Sequence, residues 1–204
     1  MKILVAYYSL YGHVLEMAHA AADGAREVSG MDVRLRRVQE FDAMEKVIDG
    51  NDYMRQVRDR QAHIPVCTVD DLRDADGCLF GSPTRFGNMT AQMKQLFDSA
   101  GSLWFKGEME GKPAGVFTST ASTHGGQETT LFTMMAPLLH LGMIVVGVPY
   151  SYQGMIHTDA RGGTPYGAST IAGAMGELKP KPEDLDLARL QGHRVAMITA
   201  KLRG

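Results

Sequence analysis

The chain has 204 residues, 44% of them hydrophobic, with 21 basic against 23 acidic side chains and a formal net charge of −2. This is enough for one domain with a substantial core, too apolar for disorder, and without the basic excess that holds nucleic acid. No apolar run is long enough to span a membrane and no signal-peptide pattern precedes the first strand, so a soluble cytoplasmic protein is expected.

Lys2 to Tyr8 is an aliphatic and aromatic run suited to a fully buried strand. After the turn Ser9-Leu10-Tyr11-Gly12-His13-Val14, apolar residues recur at helical spacing from Val14 through Met17, Ala18, Ala21 and Ala25 to Val28. Ser29-Gly30 ends that helix. Val33 to Val38 alternates apolar and basic residues, which predicts a second strand near a sheet edge. Glu40 to Pro65 is charged and irregular, with room for one short helix. Thr68 and Asp71 mark a capped helix start. Gly77 to Gly81 is a short buried strand, and Met89, Met93, Leu96, Phe97 and Ala100 form an amphipathic helix. Ala114 to Thr118 and Met143 to Val148 read as strands. Between them Leu131, Met135, Leu138 and Leu139 mark a helix that Pro137 should kink or interrupt. A Gly/Pro/Ser/Thr-rich insertion covers residues 151–182. The last helix starts near Pro182-Glu183 and uses Leu187, Leu190, Val195, Ile198 and Leu202, with Gly192 weakening its middle.

Strands alternating with helices about five times predict an α/β chain, a single domain over 1–204 with a parallel sheet covered on both faces. Ligands of such sheets sit beyond the carboxyl ends of the strands, which singles out the loops after Tyr8, Gly81 and Thr118. The Ser9–Val14 turn, between a buried strand and a helix, reads as a phosphate cradle built from backbone N–H groups and the helix dipole. It has no lysine or arginine, which favours a phosphomonoester over a triphosphate. In Ser82–Met89, Pro83 fixes a turn, Thr84 can donate to a planar heterocycle, and Phe86 can pack beside it. Ser119-Thr120-Ala121-Ser122-Thr123-His124-Gly125-Gly126-Gln127 is small and polar, suited to the edge of a flat ligand. Trp104, the single tryptophan, offers a stacking face.

Plainer readings stand beside these. Ser9–Val14 also fits an ordinary strand–helix turn with a capping serine, and Arg85 a surface ion pair. Phe86 and Trp104 also fit core aromatics, and Trp104 a subunit interface. His140 fits a histidine favoured by a helix C-terminus, and His13 a hydrogen-bond donor. Cys67 and Cys78 match no zinc or redox spacing and read as core thiols. The histidines show no metal-ligand spacing.

Four blocks together resemble the WrbA family of flavodoxin-like NAD(P)H:quinone oxidoreductases. They are Tyr7-Tyr8-Ser9-Leu10-Tyr11-Gly12-His13, Gly81 to Met89, Ser119-Thr120 with His124-Gly125-Gly126-Gln127-Glu128, and Arg161-Gly162-Gly163-Thr164-Pro165-Tyr166-Gly167. The last block separates this family from plain flavodoxins. The resemblance implies a doubly wound, five-stranded parallel sheet and FMN as cofactor. Ser9, Leu10, Tyr11, Gly12, His13 and Val14 would hold the phosphate, and Thr84, Arg85 and Phe86 would border the ring. Ser119, Thr120, Ala121, Ser122, Thr123 and His124 would line its pyrimidine edge, with His140 a further flavin-site residue. Tyr11 would also touch the nicotinamide nucleotide, and Trp104 would line the quinone pocket. The implied activity is two-electron reduction of quinones by NADH or NADPH in a homotetramer whose neighbouring subunits complete each site. No side chain serves as catalyst, because the flavin N5 carries the hydride chemistry. The alternative is a flavodoxin-type electron carrier without a substrate of its own. Such carriers are usually strongly acidic, and the near-neutral balance here speaks against that.

Overall fold

The computed structural model describes residues 1–203. Its elements are β1 (Lys2–Tyr7), α1 (His13–Arg26), β2 (Asp32–Arg37), α2 (Asp42–Asp49), α3 (Asp52–Gln61), α4 (Val69–Asp74), β3 (Gly77–Pro83), α5 (Ala91–Asp98), α6 (Gly101–Phe105), β4 (Pro113–Thr120), α7 (Gln127–His140), β5 (Ile144–Val145), β6 (Ser169–Ile171) and α8 (Pro182–Arg203). Every pairing between these strands is parallel, in the order β2-β1-β3-β4-β5, with β6 also on β4. This is the flavodoxin-like, doubly wound order, with its switch point at β1 and β3.

The alternation of β1 explains the layers. Ile3, Val5 and Tyr7 pack with Leu79 and Phe117 against α1 and α8. Leu4, Ala6 and Tyr8 point the other way, with Phe80, towards residues of α2 to α7 such as Ile48, Leu72, Met93, Leu103 and Leu131. A strand buried on both faces must be apolar at every position, as this run is. β2 takes the edge expected of it, and its arginines are partly exposed.

The fifth row of the sheet differs from the expected Met143–Val148 strand. Only Ile144 and Val145 pair with β4, at Pro113 and Ala114. The chain then leaves the sheet, with the Val148 N–H turning to the Pro165 carbonyl at 2.9 Å. It returns as β6, which pairs with Thr118 to Thr120. Five rows are thus built from six strands. At the break, Gln191 of α8 closes the ladder: its Nε2 donates to the Val116 carbonyl at 3.0 Å, and its Oε1 accepts from the Ala168 N–H at 2.9 Å.

Three local expectations change. Residues 40–65 hold two helices rather than one, because Ile48, Met54 and Val57 bury a narrow inner stripe beneath a charged surface. Asn51 caps α3 by accepting from the Met54 N–H at 3.1 Å. The helix around Pro137 is not interrupted. Proline falls in its last turn, where only one intrahelical bond is lost and the Leu141 N–H still closes on the Pro137 carbonyl at 3.0 Å. Gly192 serves contact rather than weakness. A Cβ there would lie 1.9 Å from the Ala21 carbonyl oxygen, and one at Gly24 would lie 1.8 Å from the Arg189 oxygen. The two glycines let the backbones of α1 and α8 touch.

Residues 151–182 are anchored by Asp184, which is 2% exposed near the start of α8. It accepts from the Gly162 N–H at 3.1 Å and the Thr170 hydroxyl at 2.7 Å. Burial raises its carboxyl pKa against the pull of those donors. Elsewhere Lys112, 4% exposed, donates to the Leu72 and Arg73 carbonyls at the end of α4, and desolvation lowers its pKa.

Candidate functional site

A cavity of about 540 Å³ opens beyond the carboxyl ends of β1, β3, β4 and β6. The three loops singled out in the sequence meet there. Ser9, Leu10, Tyr11, His13 and Val14 line it from the first, Thr84 and Arg85 from the second, and Ser119, Thr120 and Ala121 from the third.

The first turn is shaped by Gly12, which caps α1 at φ +90°, a left-handed conformation costly for other residues. The Ser9 hydroxyl accepts from the Gly12 N–H at 3.1 Å and so fixes the bend. Ser9, Leu10, His13 and Val14 are buried. Among the described residues, the N–H groups of Leu10, Tyr11, His13 and Val14 have no protein acceptor. Unpaired N–H groups at a helix N-terminus need water or an anion to take them, and the dipole there favours an anion. His13 is held as a donor, with Nε2–H on the Leu178 carbonyl at 2.7 Å.

In the second loop the Thr84 hydroxyl accepts from the Gly87 N–H at 3.1 Å and lies 2.8 Å from the Thr130 hydroxyl, which ties the turn to α7. Arg85 bonds only main-chain carbonyls and is exposed, without an ion-pair partner among the described residues. Behind the cavity, the buried Tyr8 hydroxyl donates to Glu40 at 2.6 Å, and Gln92 Nε2 donates to the other carboxylate oxygen at 2.6 Å. Burial first, and then the Glu40 carboxylate, push the Tyr8 phenol well above its usual range, so it stays a neutral donor.

The other expected residues lie elsewhere. Phe86 stands at φ +55° with its ring wholly exposed, outside the cavity. Such a conformation is an outlier for a bulky residue. Ser122, Thr123 and His124 form the exposed outer bend of the third loop. Trp104 of α6 and His140 at the end of α7 share a separate cleft of about 430 Å³ with Pro137 and Lys94. Within one chain they do not reach the first cavity.

Two contributors are absent from the sequence reading. Ala172 to Gly176, after β6, form one wall. Asn51 and Tyr53, at the start of α3, form another. Tyr53 stacks on Tyr11 with ring centroids 6.4 Å apart and donates to the Tyr11 carbonyl at 3.0 Å. The one local signal was Asn51-Asp52, a helix-start pair immediately before Tyr53.

The family model for NADPH-dependent FMN reductases matches residues 1–158. A protein of Geotalea uraniireducens named NAD(P)H dehydrogenase (quinone) is 52% identical, over 99% of each chain. One of the same name from Solidesulfovibrio magneticus is 50% identical over the full length of both. Among solved structures, a protein of Agrobacterium tumefaciens described as a flavodoxin, WrbA-like protein, superposes with a TM-score of 0.67 at 25% identity, over 98% of each chain. On this full-length likeness, and on the matched cradle and loops, the chain belongs to the NADPH-dependent FMN reductase family.

Proposed function

We propose that the chain binds FMN in the 540 Å³ cavity and reduces quinones to hydroquinones by two electrons, with NADH or NADPH as donor. The observation that carries this reading is the turn from Leu10 to Val14, in which the N–H groups of Leu10, Tyr11, His13 and Val14 lack protein acceptors among the described residues, beside a cavity walled by three polar loops. That donor set fits a phosphomonoester held without basic side chains. Bound FMN supplies the hydride chemistry. The protein's part is to bind, orient and exclude water. Ser9 and Gly12 fix the cradle, Thr84 and Thr130 brace the second loop, and Ser119 and Thr120 form a floor paired to β6. Arg85, exposed at the rim, offers a positive charge to an electron-rich ligand.

The reading extends to assembly. Phe86, Trp104, Phe105, Leu139 and His140 are exposed on the isolated chain. A homotetramer in which neighbouring subunits cover these residues would bring Trp104 and His140 to a quinone pocket. Residues 1–204 then form one domain with the 151–182 insertion, and a diffusible nicotinamide donor suits a cytoplasmic location.

The test is an absorbance spectrum after adding FMN, then NADH or NADPH, then benzoquinone. Bound flavin that bleaches with donor and recovers with quinone is expected. A chain that takes up no FMN at micromolar concentration refutes the reading, and bleaching without catalytic turnover of quinone favours a simple electron carrier.

A further inference from the structure

A second cavity, also about 540 Å³, lies against the first. The two share Tyr11, His13, Tyr53 and Gly176, so the stacked tyrosines stand at the boundary between them. The second cavity adds Arg60 of α3 and Lys179, which follows the Ala172–Gly176 wall. Its two carboxylates are already engaged. Glu16 pairs with Arg60, and Glu177 accepts the Met175 N–H at 2.9 Å. Lys179 is exposed and has no ion-pair partner among the described residues.

We propose that this second cavity receives the adenosine diphosphate half of the nicotinamide donor, an inference that rests on the flavin reading above. A dinucleotide has two lobes joined by a charged pyrophosphate. If flavin fills the first cavity, the reactive lobe must sit at its open side, and the other lobe needs a neighbouring space with cations and flat apolar walls. The second cavity offers both: the tyrosine faces give a surface for a base or ribose, and Lys179, which has no carboxylate partner among the described residues, gives charge for the phosphates beside the Glu16–Arg60 pair. Tyr53 also sets where the passage lies, since its hydroxyl pins the Tyr11 carbonyl. The α2–α3 hairpin thereby does more than cover the sheet: it supplies Tyr53 and Arg60 to the donor site.

ADP-ribose, the donor without its nicotinamide, is titrated by calorimetry into the FMN-loaded protein, with flavin absorbance followed in parallel. One equivalent should bind without displacing flavin, and Lys179→Glu or Tyr53→Ala should each weaken it about tenfold. In turnover, Lys179→Glu should lower the ratio of kcat/KM for NADPH to that for reduced nicotinamide mononucleotide, again by about tenfold. Absence of binding, displacement of flavin, or an affinity unmoved by both substitutions overturns the proposal. A chain that takes up no FMN instead fails the earlier reading, and the same titration of the flavin-free protein and its Lys179→Glu variant then decides this one.

Discussion

Gly192→Ala sets two physical arguments in opposition. Helix propensity alone predicts a gain of up to about 1 kcal/mol, since α8 runs through this position. Contact predicts the reverse. The new methyl would lie 1.9 Å from the Ala21 oxygen, and an ordinary carbon–oxygen contact begins near 3.4 Å, so the helices must part by more than 1 Å at this point. Neither neighbour can yield alone, because the obstacle is α1 backbone flanked by buried Ala18, Ala22 and Ala25. Gaps of 0.5–1 Å already forfeit about a quarter to a half of each dispersion contact. Overpacking of this kind costs about 1–3 kcal/mol and sometimes more. The close approach places this site at or beyond the upper end, so the net expectation is a loss of about 2 kcal/mol, or a melting temperature lower by about 4–8 °C. Urea unfolding followed by circular dichroism would give the change in midpoint at constant slope. Gly101→Ala is the control, since a Cβ there meets nothing within 4 Å and its φ is not positive. If both substitutions stabilise the protein, the contact argument fails.

Ser9→Ala removes the acceptor that holds the Gly12 N–H and should weaken FMN about tenfold, measured by quenching of flavin fluorescence; unchanged affinity would show that the bend holds without it. Lys112→Met leaves the Leu72 and Arg73 carbonyls without their buried donor and should cost about 2 kcal/mol in urea unfolding, whereas a change under about 0.5 kcal/mol would mean that water replaces it. Asp184 gives a pH signature. Because its folded-state pKa is raised, its contribution is fully present below the ordinary carboxylate pKa and is lost as pH rises through the raised value. Asp184→Asn should remove that fall from the pH profile of unfolding free energy, and parallel profiles for the two proteins would contradict the assignment.

Much of the architecture could be read because the strands β1, β3 and β4 lie between two helical layers, which forces uninterrupted apolar runs. The three loops could be read because each follows such a run and carries glycine, proline or hydroxyl residues. Tyr53 could not, since its place depends on how a charged hairpin docks over Tyr11, and sparse apolar positions such as Ile48 and Met54 carry that docking. β6 was hidden for a similar reason: Ser169-Thr170-Ile171 is short, it is flanked by Gly167-Ala168 and Ala172-Gly173, and only the free edge of β4 makes it a strand. Gly192 shows the opposite failure. Propensity registered it, but with the wrong meaning, because a close backbone contact leaves no local trace.

The divided fifth row also orders events in time. Ile144 and Val145 cover only Pro113 and Ala114 at the start of the β4 edge, and the rest waits for residues 169–171 and for Gln191 of the final helix. A nascent chain emerging from the ribosome therefore holds Thr118, Ser119 and Thr120 with one side unpaired until its last quarter arrives, and an open strand edge invites association with other chains. Ser119 and Thr120 are also the floor of the first cavity. The protein cannot finish its binding site before it has made its own C-terminal helix, which gives a truncated product an adhesive edge in place of a pocket.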